Sequence, residues 1–135
     1  MQNFKFNAAR VSTECLTNSG LCVAVYTGPL TQNSFDALRT EALQATAHCS
    51  AYLVRLDRAL IAITDAPPIE DHSYLPNTPA GAMIVRADQY EFWQDYALRA
   101  SKFGVIRTVW TEPNARLAYE WALRRACLRI AESQH

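Results

Sequence analysis

The chain has no net charge: thirteen basic and thirteen acidic side chains cancel over 135 residues. A general nucleic-acid binder or a polybasic membrane binder needs a positive face, so neither class is expected. Long apolar runs are also missing, and nothing approaches the roughly 18 residues of a membrane span. Glycine is scarce: Gly20, Gly28, Gly81 and Gly104 are all there are. None falls in a dinucleotide fingerprint, a phosphate loop or a nucleophile elbow, so the sequence implies no cofactor and carries no catalytic signature. No secretory pattern opens the chain at Met1–Lys5, and the expected compartment is the cytoplasm.

Metal chemistry has little to work with. Cys15, Cys22, Cys49 and Cys127 form no C-x-x-C pair. In a cytoplasmic protein they are expected to be reduced and buried. A hairpin would also bring Cys15 opposite Cys22, so an oxidised pair is the alternative. His48 precedes Cys49, but adjacent residues point in different directions, and a helix-end histidine is the simpler account. His135 is terminal.

What is present describes one domain. Half the residues are hydrophobic and 19% are charged, which suits a chain with a real core. Val11–Thr27 predicts a hairpin turning at Asn18-Ser19-Gly20. Its second arm, Leu21–Tyr26, is apolar on both faces, as in a central covered strand, and Gly28-Pro29 is expected to end it. Thr31 should cap a helix to about Ala47, with Phe35, Leu38, Ala42 and Ala45 on its inner side. Ala51–Leu56 is the next strand, ending at Asp57.

Residues Ala59–Thr64 fit a strand, a short helix or a buried crossover equally well. A long loop, Asp65–Ala80, holds four prolines. Ala82–Val85 is a short strand. Asp88 and Glu91 have the spacing of a capping box for a helix to about Ala100. Phe103–Trp110 is the last strand. Thr111 then caps a final helix with Pro113 in its first turn. The buried side of that helix is expected to be Leu117, Ala118, Trp121, Ala122 and Leu128, with Arg124, Arg125 and Arg129 in its final turns. Strands alternating with helices predict a small α/β domain, with a mostly parallel or mixed sheet of about four or five strands and about three helices.

Several stretches carry a family likeness. Val23-Ala24-Val25-Tyr26-Thr27-Gly28-Pro29-Leu30-Thr31 reads as a strand reaching a glycine before a capped helix. Leu53-Val54-Arg55-Leu56-Asp57 reads as a strand ending in Asp. Gly104–Trp110 followed by Thr111-Glu112-Pro113-Asn114-Ala115 reads as a strand giving way to a polar-capped helix. In this order they resemble the STAS-like families, the fold of the anti-sigma-factor antagonists, and most closely their SpoIIAA-like bacterial relatives. The resemblance implies a non-enzymatic domain acting by protein–protein contact in bacterial regulation. Those antagonists carry an Asp-Ser-x-Gly stretch whose serine is phosphorylated at a helix N-terminus. Here Asp57 is followed by Arg58-Ala59-Leu60-Ile61-Ala62-Ile63-Thr64-Asp65, without serine or glycine, so the phospho-switch does not carry over.

The candidate ligand or partner site is Asp57, Arg58, Asp65 and His72, at the carboxyl end of a central strand and in the loop beyond it. A small-molecule or lipid carrier, with a pocket for a small apolar ligand under loop 65–80, is the rival. An acid–base enzyme is the third option, and it needs Asp57 or Asp65 to converge with His72. Charge is segregated: acids dominate Asp57–Asp95, while Arg99 onward is basic, and eleven of the thirteen basic residues are arginine. Tyr90, Phe92 and Trp93 are too close in sequence for one helix face to bury all three. At least one should be exposed or lie in an interface, which favours a homodimer.

Overall fold

The computed structural model describes residues 9–16, 18–46, 48–66 and 79–133. Within them the chain is an α/β domain with a six-stranded mixed, mostly parallel sheet and three α-helices. The strands are β1 (Arg10–Leu16), β2 (Leu21–Thr31), β3 (Ala51–Arg55), β4 (Ala59–Ala62), β5 (Ala80–Val85) and β6 (Arg107–Thr111). The helices are α1 (Gln32–Ala45), α2 (Tyr90–Ser101) and α3 (Ala115–Ser133). Sheet order is β1-β2-β3-β5-β6, with β1 antiparallel and the others parallel to their neighbours.

Beta-branched and apolar residues fill β2, β3 and β5, which are covered on both faces. On one face α1 lies over β1 and β2, and α2 lies over β6. Phe35, Trp93, Tyr96 and Tyr26 interlock there, with Trp93 wholly buried. Its ring meets Phe35, Phe92 and Tyr96 edge-on at 6.0, 5.0 and 5.6 Å. On the other face α3 presents Ala118, Ala122 and Ala126, each fully buried, to Leu21, Leu53, Ala82 and Ile84. These small residues recur every fourth position and let the helix settle close to the sheet. Leu117 and Leu128 fall to its flanks and are exposed, contrary to the expected buried side, and Trp121 is half-buried.

The ambiguous segment after Asp57 is strand. Gly28 has φ +84, which bends β2 and lets it continue through Pro29 to Thr31, where the sequence predicts a stop. Residues 28–31 pair with β4 in parallel, as residues 21–25 pair with β3. Leu56-Asp57-Arg58 is therefore a break between two strand segments that both follow β2.

Thr31 and Ser34 form a reciprocal capping box at α1. That helix ends at Ala45, which is exposed rather than on the inner side. The box expected at Asp88 does not form. A 3-10 turn, Ala87–Gln89, precedes α2, and the Asp88 carboxylate takes Arg86 instead. Thr111 is extended but makes no capping bond through its side chain, because a second 3-10 turn, Glu112–Asn114, intervenes before α3. The last strand is shorter than expected, beginning at Arg107. Arg124, Arg125 and Arg129 stand before the last turn of α3, which runs on to Ser133.

Cys15 and Cys22 are register partners across the hairpin, with Cα atoms 4.0 Å apart, and are joined as a disulfide. This corrects the reduced pair expected from sequence. Cys49 is a half-buried thiol and Cys127 an exposed one. No helix among the described residues is long and apolar enough to cross a membrane.

Candidate functional site

In a parallel sheet the ligand end is the carboxyl edge. Here β3 ends at Arg55, β5 at Val85 and β6 at Thr111. Asp57 lies just past β3 with its side chain only 6% exposed. The planar Arg55 guanidinium donates to both its oxygens, Nε to Oδ1 at 3.1 Å and Nη2 to Oδ2 at 2.7 Å. The hydrogen bond to Asp57 holds Arg55 more firmly protonated. Burial opposes this, while the charges of Asp57 and Glu112 add to it. Sequence reasoning missed Arg55, although Asp57 two positions on in the same run is the signal that finds it.

The other predicted residues do not join this pair. Arg58 and Asp65 are exposed. Gln32, at the start of α1, clamps the backbone entering the long loop. Its Oε1 accepts from the N–H groups of Thr64 and Asp65, both at 3.0 Å, and its Nε2 donates to Asp65 O at 3.1 Å. No hydrogen bond links Asp57 to Asp65. His72, with the rest of 67–78, lies outside the described residues.

The carboxyl edge also carries a cleft of about 590 Å³, open to solvent. It is lined by Ala87 and Tyr90, by Val109, Trp110 and Thr111 of β6, and by Asn114. Val109 belongs to the core beneath α2, and Trp110 packs with the core beneath α3. A cleft lined by consecutive residues of opposite faces straddles the edge of the strand. Trp110 is held by Nε1–H donation to Thr108 Oγ1 at 2.8 Å. Tyr90 is 37% exposed while Trp93 is buried, so the crowding at 90–93 is resolved by turning Tyr90 into the cleft. The residues flanking Ala87 in sequence, Arg86 and Asp88, pair with each other.

At the amino end of the strands a cross-strand row sets the position of β6. Tyr52, Gly81 and Arg107 are register neighbours on β3, β5 and β6. Gly81 has no side chain, so the Tyr52 ring lies across it and meets the Arg107 guanidinium 4.7 Å from its centroid. Arg107 Nη1 also donates to Pro79 O at 2.9 Å and Ile106 O at 2.8 Å. Burial raises the Tyr52 hydroxyl to about 12, partly offset by Arg107.

Among the described residues no cluster of three or more histidine, cysteine or acidic side chains could hold a metal ion. Comparison with protein-family models, with curated proteins and with solved structures gives no match for this chain.

Proposed function

We propose that this chain is a non-enzymatic interaction module of the STAS-like kind, a bacterial regulatory domain, and that its contact surface is the cleft on the edge of β6. The observation that carries this reading is the cleft itself: open to solvent and lined by Tyr90, Trp110 and the carboxyl end of β6. Tyrosine and tryptophan anchor protein interfaces because they supply large contact area at low entropy cost. The element order of hairpin, helix and parallel strands supports the likeness to anti-sigma-factor antagonists. Both oxygens of Asp57 are committed to Arg55, which fits a brace between the two segments beside β2. The segment after Asp57 is β4 rather than a helix N-terminus ready for a phosphate, so contact here is not switched in the antagonists' manner.

Photo-crosslinking tests the proposal. A photoreactive residue at exposed Ala87 should give a discrete protein adduct in the source cells, weakened by Trp110→Ala. The same residue at exposed Glu41, on α1, should give none. Equal labelling from both positions, or none from Ala87, would count against it.

One observation favours the second reading, a carrier of a small ligand. Gln89 Oε1 and Trp93 Nε1 are buried without a hydrogen-bond partner, one helical turn apart. An acceptor and a donor so placed suit a ligand hydroxyl. Native mass spectrometry showing a bound molecule that is lost in Trp93→Phe would support that reading.

A further inference from the structure

We infer that the partner is a second copy of this chain, joined by antiparallel pairing of β6 with β6 about a two-fold axis at Val109; this rests on the interaction reading above. Gly81 N–H donates to Ile106 O, and Gly81 is the register partner of Arg107. In a parallel ladder both backbone groups of a residue point to the same side. Ile106, Thr108 and Trp110 therefore point toward β5, while Arg107, Val109 and Thr111 direct their N–H and C=O groups away from the sheet. Among the described residues no strand pairs with that side.

Such an edge is a template for another strand unless it is blunted by charge, proline or a bulge. β6 has no proline, and its register with β5 is unbroken by a bulge. Its sequence is Arg-Thr-Val-Trp-Thr, rich in strand formers, and its one charge is folded back under Tyr52. The opposite edge, β1, is blunted by Arg10 and Glu14, both exposed.

The register follows from symmetry. With the axis at Val109, Val109 exchanges both bonds with its own copy, and Arg107 exchanges both with Thr111. Every outward group of the strand is then paired. An axis at Arg107 would leave Thr111 unpaired and set arginine against arginine. Side-chain chemistry agrees with the Val109 axis. The two-fold brings the amino end of one β6 to the carboxyl end of the other. The amino end carries Phe103 and Ile106, 49% and 43% exposed, and the carboxyl end carries the aromatic cleft. Apolar groups of one copy thus meet the cleft of the other, and no like charges face each other along the strand.

Above the strand, α2 turns Phe92 and Tyr96 inward toward the shared core. Tyr90 turns into the edge cleft.

Sedimentation tests this with two variants whose side chains hold nothing in the monomer. Ile106 is exposed, and Thr111 makes no capping bond through its side chain. The wild type should sediment at twice 15.2 kDa. Ile106→Glu, which sets a carboxylate opposite Glu112 of the second copy, and Thr111→Lys, which sets an ammonium opposite Arg107 of the second copy, should each weaken dimerisation at least about tenfold with circular dichroism unchanged. A wild-type dimer indifferent to both variants would overturn the inference. So would a wild-type monomer, and the Ala87 crosslink then separates the two proposals. An adduct with a different protein ends the homodimer but leaves the interaction reading standing, whereas no adduct ends both.

Discussion

Replacing Gly81 by alanine probes the row that fixes β6. A Cβ at position 81 would lie 2.5 Å from Tyr52 Cε2 and 2.6 Å from Cζ. Carbon contacts are comfortable near 3.5–4.0 Å, so the ring must move by about 1 Å. It has little freedom to do so, since Arg107 stacks on it and Arg107 is tied to Pro79 and Ile106. The backbone at 81 has no positive φ. With no conformational penalty, alanine would otherwise stabilise by about 0.4–1 kcal/mol through the unfolded chain. Overpacking costs about 1–3 kcal/mol. The net expectation is a loss of about 1–2 kcal/mol, or roughly 3–6 °C in Tm for a chain of this size. Urea unfolding of the wild type, Gly81→Ala, Tyr52→Ala and the double variant gives a full cycle. The double variant should be no less stable than Tyr52→Ala alone, because the clash is gone. A neutral or stabilising Gly81→Ala, or strictly additive effects, would refute the reasoning.

Three further outcomes are expected. Asp57→Ala leaves the Arg55 guanidinium partly buried without its carboxylate and should cost roughly 1–3 kcal/mol in urea unfolding, with Asp57→Asn between it and the wild type. Thr31→Ala removes the side-chain half of the α1 capping box and should cost about 1 kcal/mol. Burial raises Tyr26 and Tyr52 from 10.0 to about 12, so each holds its proton in the folded chain at pH values where the unfolded chain has lost it. Their contribution is full below pH 10 and is lost as pH rises through 10 to 12, so stability should fall across that window, and less so in Tyr52→Phe.

Much of the fold was legible because its signals are local. Thr31 before an apolar periodicity gave the start of α1, and the two-faced apolar run at Leu21–Tyr26 gave a covered central strand. What failed depended on neighbours distant in sequence. A short apolar stretch such as Ala59–Ala62 has no periodicity to separate strand from helix, and it is strand because β2 bends at Gly28 and continues beside it. Asp88 has capping-box spacing, but Arg86 competes for its carboxylate. Leu117 and Leu128 look like core until Ala118, Ala122 and Ala126 take the inner face of α3. At the site, Asp57 was visible as a strand-ending acid, whereas its Arg55 partner was read only as part of the strand. Crowding at Tyr90–Trp93 pointed to an exposed aromatic, but its place at a sheet edge depends on strand order. Arg58 and Asp65, which the sequence places at the carboxyl end of the same strand and in the loop beyond it, are exposed and stand apart from the Arg55–Asp57 brace.

Amide hydrogen exchange tests the outer edge of β6 as a contact surface, residue by residue. The N–H groups of Arg107, Val109 and Thr111 should exchange slowly at high protein concentration and rapidly on dilution or in Ile106→Glu. Those of Thr108 and Trp110, already bonded to β5, should hold the same protection throughout. Equal exchange of the three outward amides in the associated and dissociated protein would contradict it.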